Sequence, residues 1–314
     1  MADHYVSPAP ETTRWGTFSS GYPPVLTVDS GDAVTLECVS GGPDMLPPAT
    51  LGFTVPPALP RIHAANAARG GGVHILTGPV AVRGAEPGDM LEVRIERIEL
   101  GADWGFCAHR PLAGTLPEDF PHRFVSHIAV DRKRRVGRLP WGTELPLAPF
   151  FGVMGTAPKP EYGVISTKEP REHGGNLDNK ELGEGATLYL PVWVPGGLFS
   201  AGDGHGVQGD GEVCINALEM ALTGTFRLVL HKGANLRFPR AESPTHHITM
   251  GLNEDLDQAM KQALREMIAL ICQRTSLTRD EAYQVCSLAV DFHVTQTVNG
   301  EKGIHGMLRK GLLF

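Results

Sequence analysis

Three stretches of the chain carry the two-residue apolar period of a half-buried strand. Val34, Leu36 and Cys38 alternate with Thr35 and Glu37, and Leu91, Val93 and Ile95 alternate with Glu92, Arg94 and Glu96. Phe226, Leu228 and Leu230 repeat the spacing. The first two runs each follow a turn ending in Gly-Asp, and the segments DSGDAVTLEC and EPGDMLEVRI form a weak internal repeat of a kind common in antiparallel sandwiches. Helical spacing becomes clear only at Asn253, which is placed as a cap. From there Leu256, Ala259/Met260, Ala263/Leu264, Met267 and Ile271 recur at three and four residues. A second helix starts at the capping box Thr278-Arg279-Asp280-Glu281, with Ala282, Val285 and Leu288/Ala289 as its inner face. A last strand, Asp291 to Val298, leads to a basic tail.

Between these elements, residues 1–22 read as an irregular lead-in. Residues 41–70, rich in Pro, Ala and Gly, read as a long loop, a length usually tied to function or poor order. Residues 101–170 carry short strands and turns, with Arg132-Lys133-Arg134-Arg135 at a solvated hairpin tip. The pattern predicts a mainly β protein: an antiparallel β-sandwich or jelly-roll-like core over residues 1–240, and a smaller α+β part of two helices and a strand over 241–314.

Composition narrows the class. Glycine (38) and proline (25) are abundant but spread between apolar stretches, which reads as many turns and not as disorder. A net charge of −7 argues against nucleic acid, which demands a basic face. No run of about 18 apolar residues is present, so no membrane span is expected. The first residues lack the basic start and apolar core of a secretory signal. Five scattered cysteines without a C-x-x-C read as reduced thiols, and the expected location is the cytoplasm.

The chemistry concentrates between Gly174 and Glu219. Asp203, His205, Asp210 and Glu212 fall within ten residues, separated almost entirely by glycines. Glycine lets the backbone come close to a ligand or ion. Carboxylates and an imidazole in one loop suit a divalent cation, zinc first, with calcium or manganese as alternatives. The bland reading is a glycine-rich turn with solvated acids. Upstream, Asn176, Asp178 and Asn179 offer amide and carboxylate groups that complete such a site, hold a substrate amide, or close an Asx turn. Cys214, if on a strand with Glu212, shares its face and is a candidate nucleophile, against the commoner reading of an inert buried thiol. His74, His109 and His246 are further candidates. His246 and His247 point to opposite faces of any strand, so at most one serves a site. Glycines 70–72 make no phosphate loop.

Taken in order, PPVLTVDSGDAVTLE, HILTGPVAVRGAEPGDMLEV, the WG at 104–105, FFGVMGTAP, GGNLDNKEL, LFSAGDGHGVQGDGEVC, SPTHHITMG and VTQTVNGEKGIHGML resemble the acetamidase/formamidase family along nearly the whole chain. The HGGNLDN and SAGDGHGVQGDGEVC segments are quite specific. The resemblance implies hydrolysis of a short aliphatic amide to carboxylate and ammonia. It also implies a β-sandwich core with a smaller α+β part, and a homodimer or higher homo-oligomer. Asn176, Asp178, Asp203, His205, Glu212 and His246 stand at matching motif positions. Family members of this type often carry tyrosine at the position of His247 and a residue other than histidine at that of His109.

The resulting expectation is a metal-dependent amidase. Asp203, His205 and Asp178 hold the ion, Glu212 activates water, Asn176 orients the amide, and His246 and His109 contact the substrate. The rivals are a Cys214 thiol amidase without metal and a non-catalytic sandwich that binds a small molecule or Ca²⁺.

Overall fold

The computed structural model describes residues 2–66 and 72–314. Its largest sheet has nine strands in the order Asp3–Val6, Ala33–Cys38, Leu222–His231, Met90–Leu100, Thr187–Pro191, Arg240–Glu242, His246–Asn253, Lys302–Arg309, Val290–Gln296. All neighbours are antiparallel except the first pair. A six-stranded sheet is built on Gly174–Asn176, Phe150–Gly155, Phe199–His205, Ile75–Val82 and Thr13–Trp15, with Leu26–Val28 also paired to Ile75–Val82. The main core joins residues of both sheets: Leu36, Val93, Phe226 and Leu228 from the first, Val80, Phe151, Phe199 and Ala201 from the second. This is the β-sandwich that the alternation predicts. Phe226 is its hinge point, fully buried, with edge-on contacts to Phe151 (5.3 Å) and Phe199 (5.5 Å).

The internal repeat has a structural meaning. The strands Ala33–Cys38 and Met90–Leu100 flank Leu222–His231 on either side. Each is preceded by a buried aspartate that closes its turn. Asp32 accepts from the Asp29 N–H, and Asp89 accepts from the Glu86 N–H. The same residue type is needed twice because a tight turn leaves an inward N–H that requires an acceptor.

The long helix Leu256–Arg274 lies across the C-terminal strands, and Gly251 lets it do so. A Cβ on Gly251 would stand 1.9 Å from the Ala259 carbonyl oxygen. Ala259, Ala263, Met267 and Ile271 are its buried face, as the spacing predicts. Its cap is Asp255, which accepts from Gln258 N–H; the strand runs through Asn253, whose side chain accepts from the Asp255 N–H instead. The helix Arg279–Ala289 has the expected capping box at Thr278 and Glu281, and buries Ala282 and Cys286. Leu288 is 85% exposed, on the side of the helix opposite Cys286, so it is not part of the inner face.

Other expectations shift. Residues 1–22 contain the strands Asp3–Val6, Thr13–Trp15 and Thr17–Ser19, each held by a partner far along the chain that local sequence does not reveal. The stretch read as a 41–70 loop holds the helix Ala58–Asn66, with Leu59 and Ile62 buried; residues 67–70 lie outside the described residues. The last predicted strand spans Val290–Gln296, and the basic tail is a further strand, Lys302–Arg309, interior to the sheet with Ile304, Met307 and Leu308 buried. Arg132 to Arg135 do form an exposed hairpin tip, where Arg134 pairs with Glu144.

Candidate active site

The site forms on the outer side of the six-stranded sheet. In the strand Phe199–His205, Ala201 points into the core. Asp203 takes a left-handed backbone (φ 57°), the alternation changes sides, and Asp203 and His205 both face outward. Asp178 (φ 46°) and Glu212 (φ 44°) are also left-handed. Such a backbone costs a non-glycine residue about 1–3 kcal/mol, and it clusters where side-chain aim matters more than local comfort.

Five segments meet here. Asp178 comes from the turn after Gly174–Asn176 and is anchored by its own N–H to the Gly152 carbonyl (3.1 Å). Asp203 and His205 come from their strand. Glu212 and Glu219 come from residues 206–221, which run as turns and isolated bridges, with Glu219 bridged to Phe106 and His205. His74 precedes Ile75–Val82. Asn299 precedes the last strand and donates to Asp178 Oδ2 (2.5 Å).

His205 Nε2 lies 3.2 Å from Asp203 Oδ2, 3.3 Å from Glu219 Oε1 and 3.9 Å from Asp178 Oδ1, and His74 Nε2 lies 3.8 Å from Asp203 Oδ2. One ligand atom each from Asp178, Asp203 and His205 lie within 4.8 Å of one another, as do one each from His205, Glu212 and Glu219. Gly152 is the floor. A Cβ there would stand 2.5 Å from Asp178 Oδ1 and Asp203 Oδ2, and 2.8 Å from His205 Cε1. The imidazole is oriented from behind: Nδ1 is 2.9 Å from Gln208 Oε1, and Gln208 Nε2 donates to the Asp178 carbonyl. With the Gln208 amide fixed this way, its oxygen accepts the Nδ1 proton, and Nε2 is the ring atom that faces the acids.

The electrostatics are those of a crowded anionic pocket. Burial, then the neighbouring carboxylates, pushes Glu212 well above the ordinary range and Glu219 up to about 7. Asp178 is also raised, by burial first. Burial works against Asp203 too, but His74 and His205 outweigh it and hold that carboxyl well below its usual value. Burial works against charging His205, yet Glu219 and Asp203 raise it well above its ordinary value. Like charges this close cannot all ionise without a compensating cation.

A cavity of about 170 Å³ opens over these groups, lined among others by His74, Arg110, Lys168, Asn176, Asn216 and Asn299. Three buried polar atoms of its lining have no hydrogen-bond partner: Asn176 Oδ1, Asp178 Oδ1 and Glu212 Oε2. Asn176 Nδ2 is spent on the Lys168 carbonyl, so its free atom is an acceptor. The orphaned atoms, the glycine floor and a donor set of carboxylates plus imidazole fit a divalent cation.

Of the residues singled out from sequence, His74, Asn176, Asp178, Asp203, His205 and Glu212 come together. His246 does not: it lies on the strand His246–Asn253, outside the cavity lining, with Nδ1 bonded to Thr245 Oγ1. His109 lines a neighbouring cavity, stacked on Phe124. Asp210 turns outward to Lys180 and His293. Asn179 closes an Asx turn onto Glu181. Cys214 is not on a strand; its sulfur lies 3.5 Å from that of Cys107 and lines the neighbouring cavity. That hydrogen bond lowers the Cys214 thiol to about 6, but directs it away from the carboxylates. Glu219 and Gln208 escaped the sequence reading. Glu219 stands in the apolar run Ala217–Ala221 with no chemical neighbour in sequence, and Gln208 acts through a partner three residues away.

The acetamidase/formamidase family model matches residues 66–163 and 163–302. The chain belongs to the acetamidase/formamidase family. This family member is 30% identical to the formamidase of Methylophilus methylotrophus over 203 residues, 48% of this chain and 49% of that protein. The chain thus aligns with about half the length of the curated relatives it matches. Among solved structures, an acetamidase from Bacillus halodurans superposes with a TM-score of 0.84 at 32% identity, covering 97% of both chains. An acetamidase from Yersinia enterocolitica superposes with a TM-score of 0.83 at 27% identity, covering 99% of this chain and 93% of the other.

Proposed function

We propose that the protein hydrolyses short linear amides to carboxylate and ammonia in this cavity, with a divalent cation, zinc first, held by His205, Asp178 and Asp203 and bordered by Glu219. The three unpartnered polar atoms around the cavity carry this reading. Each costs about 1–3 kcal/mol if left unmade, so the pocket is built for a guest that satisfies them. When bound, such a cation polarises a carbonyl and makes water more acidic. The residues themselves do the rest. Asn176 Oδ1 accepts an N–H of the substrate amide and sets which end faces inward. Glu212 Oε2, made more basic by burial, takes a proton from water and returns it to the leaving nitrogen. Lys168 and Arg110 at the lining attract the product carboxylate. A cavity of about 170 Å³ favours an acyl group of few atoms, of the size found in formamide or acetamide.

The relatives named formamidase and acetamidase support this reading. The thiol alternative is weaker, because the Cys214 sulfur opens on another cavity. Ammonia release from formamide, acetamide and longer amides tests the activity. Glu212→Gln should lower turnover by about a hundredfold or more while the bound cation stays. Full turnover in Glu212→Gln, or no turnover of any amide by the metal-loaded parent, overturns the reading.

A further inference from the structure

Cys107 and Cys214 are 107 residues apart in sequence, yet their sulfurs are 3.5 Å apart. Both also lie against the Asn216 carbonyl, at 3.8 and 3.5 Å. They line a second cavity of about 680 Å³ on the other side of Glu212, whose rim carries exposed Val213 and Trp141. A small polar oxidant therefore has a route to them. Cys38 and Cys286, in contrast, are sealed in apolar cores at 1% and 2% exposure.

The two sulfurs sit on segments of different build. Cys107 belongs to the strand Trp104–His109, registered along its length against Phe124–Asp131. Cys214 belongs to the turns of residues 206–221, which carry Glu212 two residues before it and Glu219 five residues after it. A disulfide needs the sulfurs at about 2.05 Å, so closure draws them together by roughly 1.5 Å. The strand is held along its register, and Cys214 lies between the bridges at Gly211 and Glu219, so the turn between those bridges takes up the movement.

We propose that Cys107 and Cys214 are a reversible oxidation site, and that the disulfide they form under a peroxide moves Glu212 and switches the neighbouring cavity off. The Cys214 thiolate attacks one peroxide oxygen, the O–O bond breaks, and hydroxide leaves with a sulfenic acid on Cys214. The Cys107 sulfur then attacks that sulfur and expels hydroxide, which departs as water with the Cys107 proton. Two thiols and one hydrogen peroxide give one disulfide and two waters. The thiols are oxidised and the peroxide is reduced. The linkage stands on geometry alone; its effect on turnover rests on the amidase reading above.

The test treats the metal-loaded protein with hydrogen peroxide, then alkylates and maps its peptides. The expected result is a Cys107–Cys214 cross-linked peptide, and free thiols falling from five to three. Hydrogen exchange of residues 207–219 should change on oxidation in the parent and stay constant in Cys107→Ser. Amide turnover should fall at least about tenfold, a shift of an ångström being enough for that, and return with dithiothreitol. Cys107→Ser should keep its turnover under the same treatment. No cross-link, or sulfinic acid on Cys214 beside a free Cys107, overturns the site. A cross-link that leaves exchange and turnover unchanged overturns the switch. If the reduced parent hydrolyses no amide, the amidase reading fails, and peptide mapping with hydrogen exchange still decides this one.

Discussion

Gln208 joins two ligand candidates at once: its oxygen is 2.9 Å from His205 Nδ1, and its nitrogen donates at 2.8 Å to the Asp178 carbonyl. The first contact selects the tautomer of His205 and the second ties that choice to the position of Asp178. Removing such a support typically weakens metal binding by about 10–100-fold. Gln208→Leu should do so, measured by competition titration with a chelating dye. Gln208→Glu keeps the acceptor for Nδ1 but loses the donor to Asp178, and should fall between Gln208→Leu and the parent. Unchanged affinity in both variants would show that His205 is held by its other contacts.

The floor of the pocket makes a sharper prediction. In Gly152→Ala the new Cβ would crowd Asp178 Oδ1, Asp203 Oδ2 and the His205 ring together. Bound divalent cation should drop from near-stoichiometric to undetectable in elemental analysis, and amide turnover should be lost. Circular dichroism should remain native, since the core residues of Phe150–Gly155 are untouched. A metal-replete, active Gly152→Ala protein would refute the assigned ligand set.

Two histidines outside the pocket set an acid limit on stability. His173 and His305 are each 1% exposed, and burial lowers both to about 4 from an ordinary 6.5. The unfolded chain takes up these protons below pH 6.5, whereas the folded chain resists until about pH 4. Stability therefore falls as pH drops across that window, by up to about 3 kcal/mol for each group. Neither nitrogen of His173 has a partner, and its ring meets Phe18 edge-on. His173→Phe should flatten the slope between pH 6.5 and 4 in urea titrations. A slope identical to that of the parent would mean that His173 is solvated or paired in solution.

Phe226 should be the costliest single truncation. It is fully buried and contacts aromatic rings from the opposite sheet. Phe226→Ala should lower stability by about 3–5 kcal/mol, read from the urea midpoint at constant slope. A loss below about 1 kcal/mol would show that the sandwich repacks around the gap.

The parts legible in sequence were those fixed by local pattern. Alternation in Val34–Cys38 and Leu91–Ile95 located strands, and the periodicity after Leu256 located a helix with its buried face. Glycines around Asp203 and His205 marked where side chains converge. The illegible parts depend on distant partners. Asp3–Val6 is a strand because Ala33–Cys38 offers it an edge. Glu219 reaches the pocket because antiparallel bridges seat it against Phe106 and His205. His246 lies elsewhere: the strand His246–Asn253 carries it outside the cavity lining, with Nδ1 bonded to Thr245 Oγ1.

Asn299 reaches back across 121 residues to hold Asp178. The pocket is thus finished by a contact of very high sequence separation, and such contacts are entropically slow to form. On the ribosome the acids near position 205 emerge well before the amide that steadies Asp178. The order of synthesis therefore leaves the pocket unbraced until nearly the whole sandwich has been made.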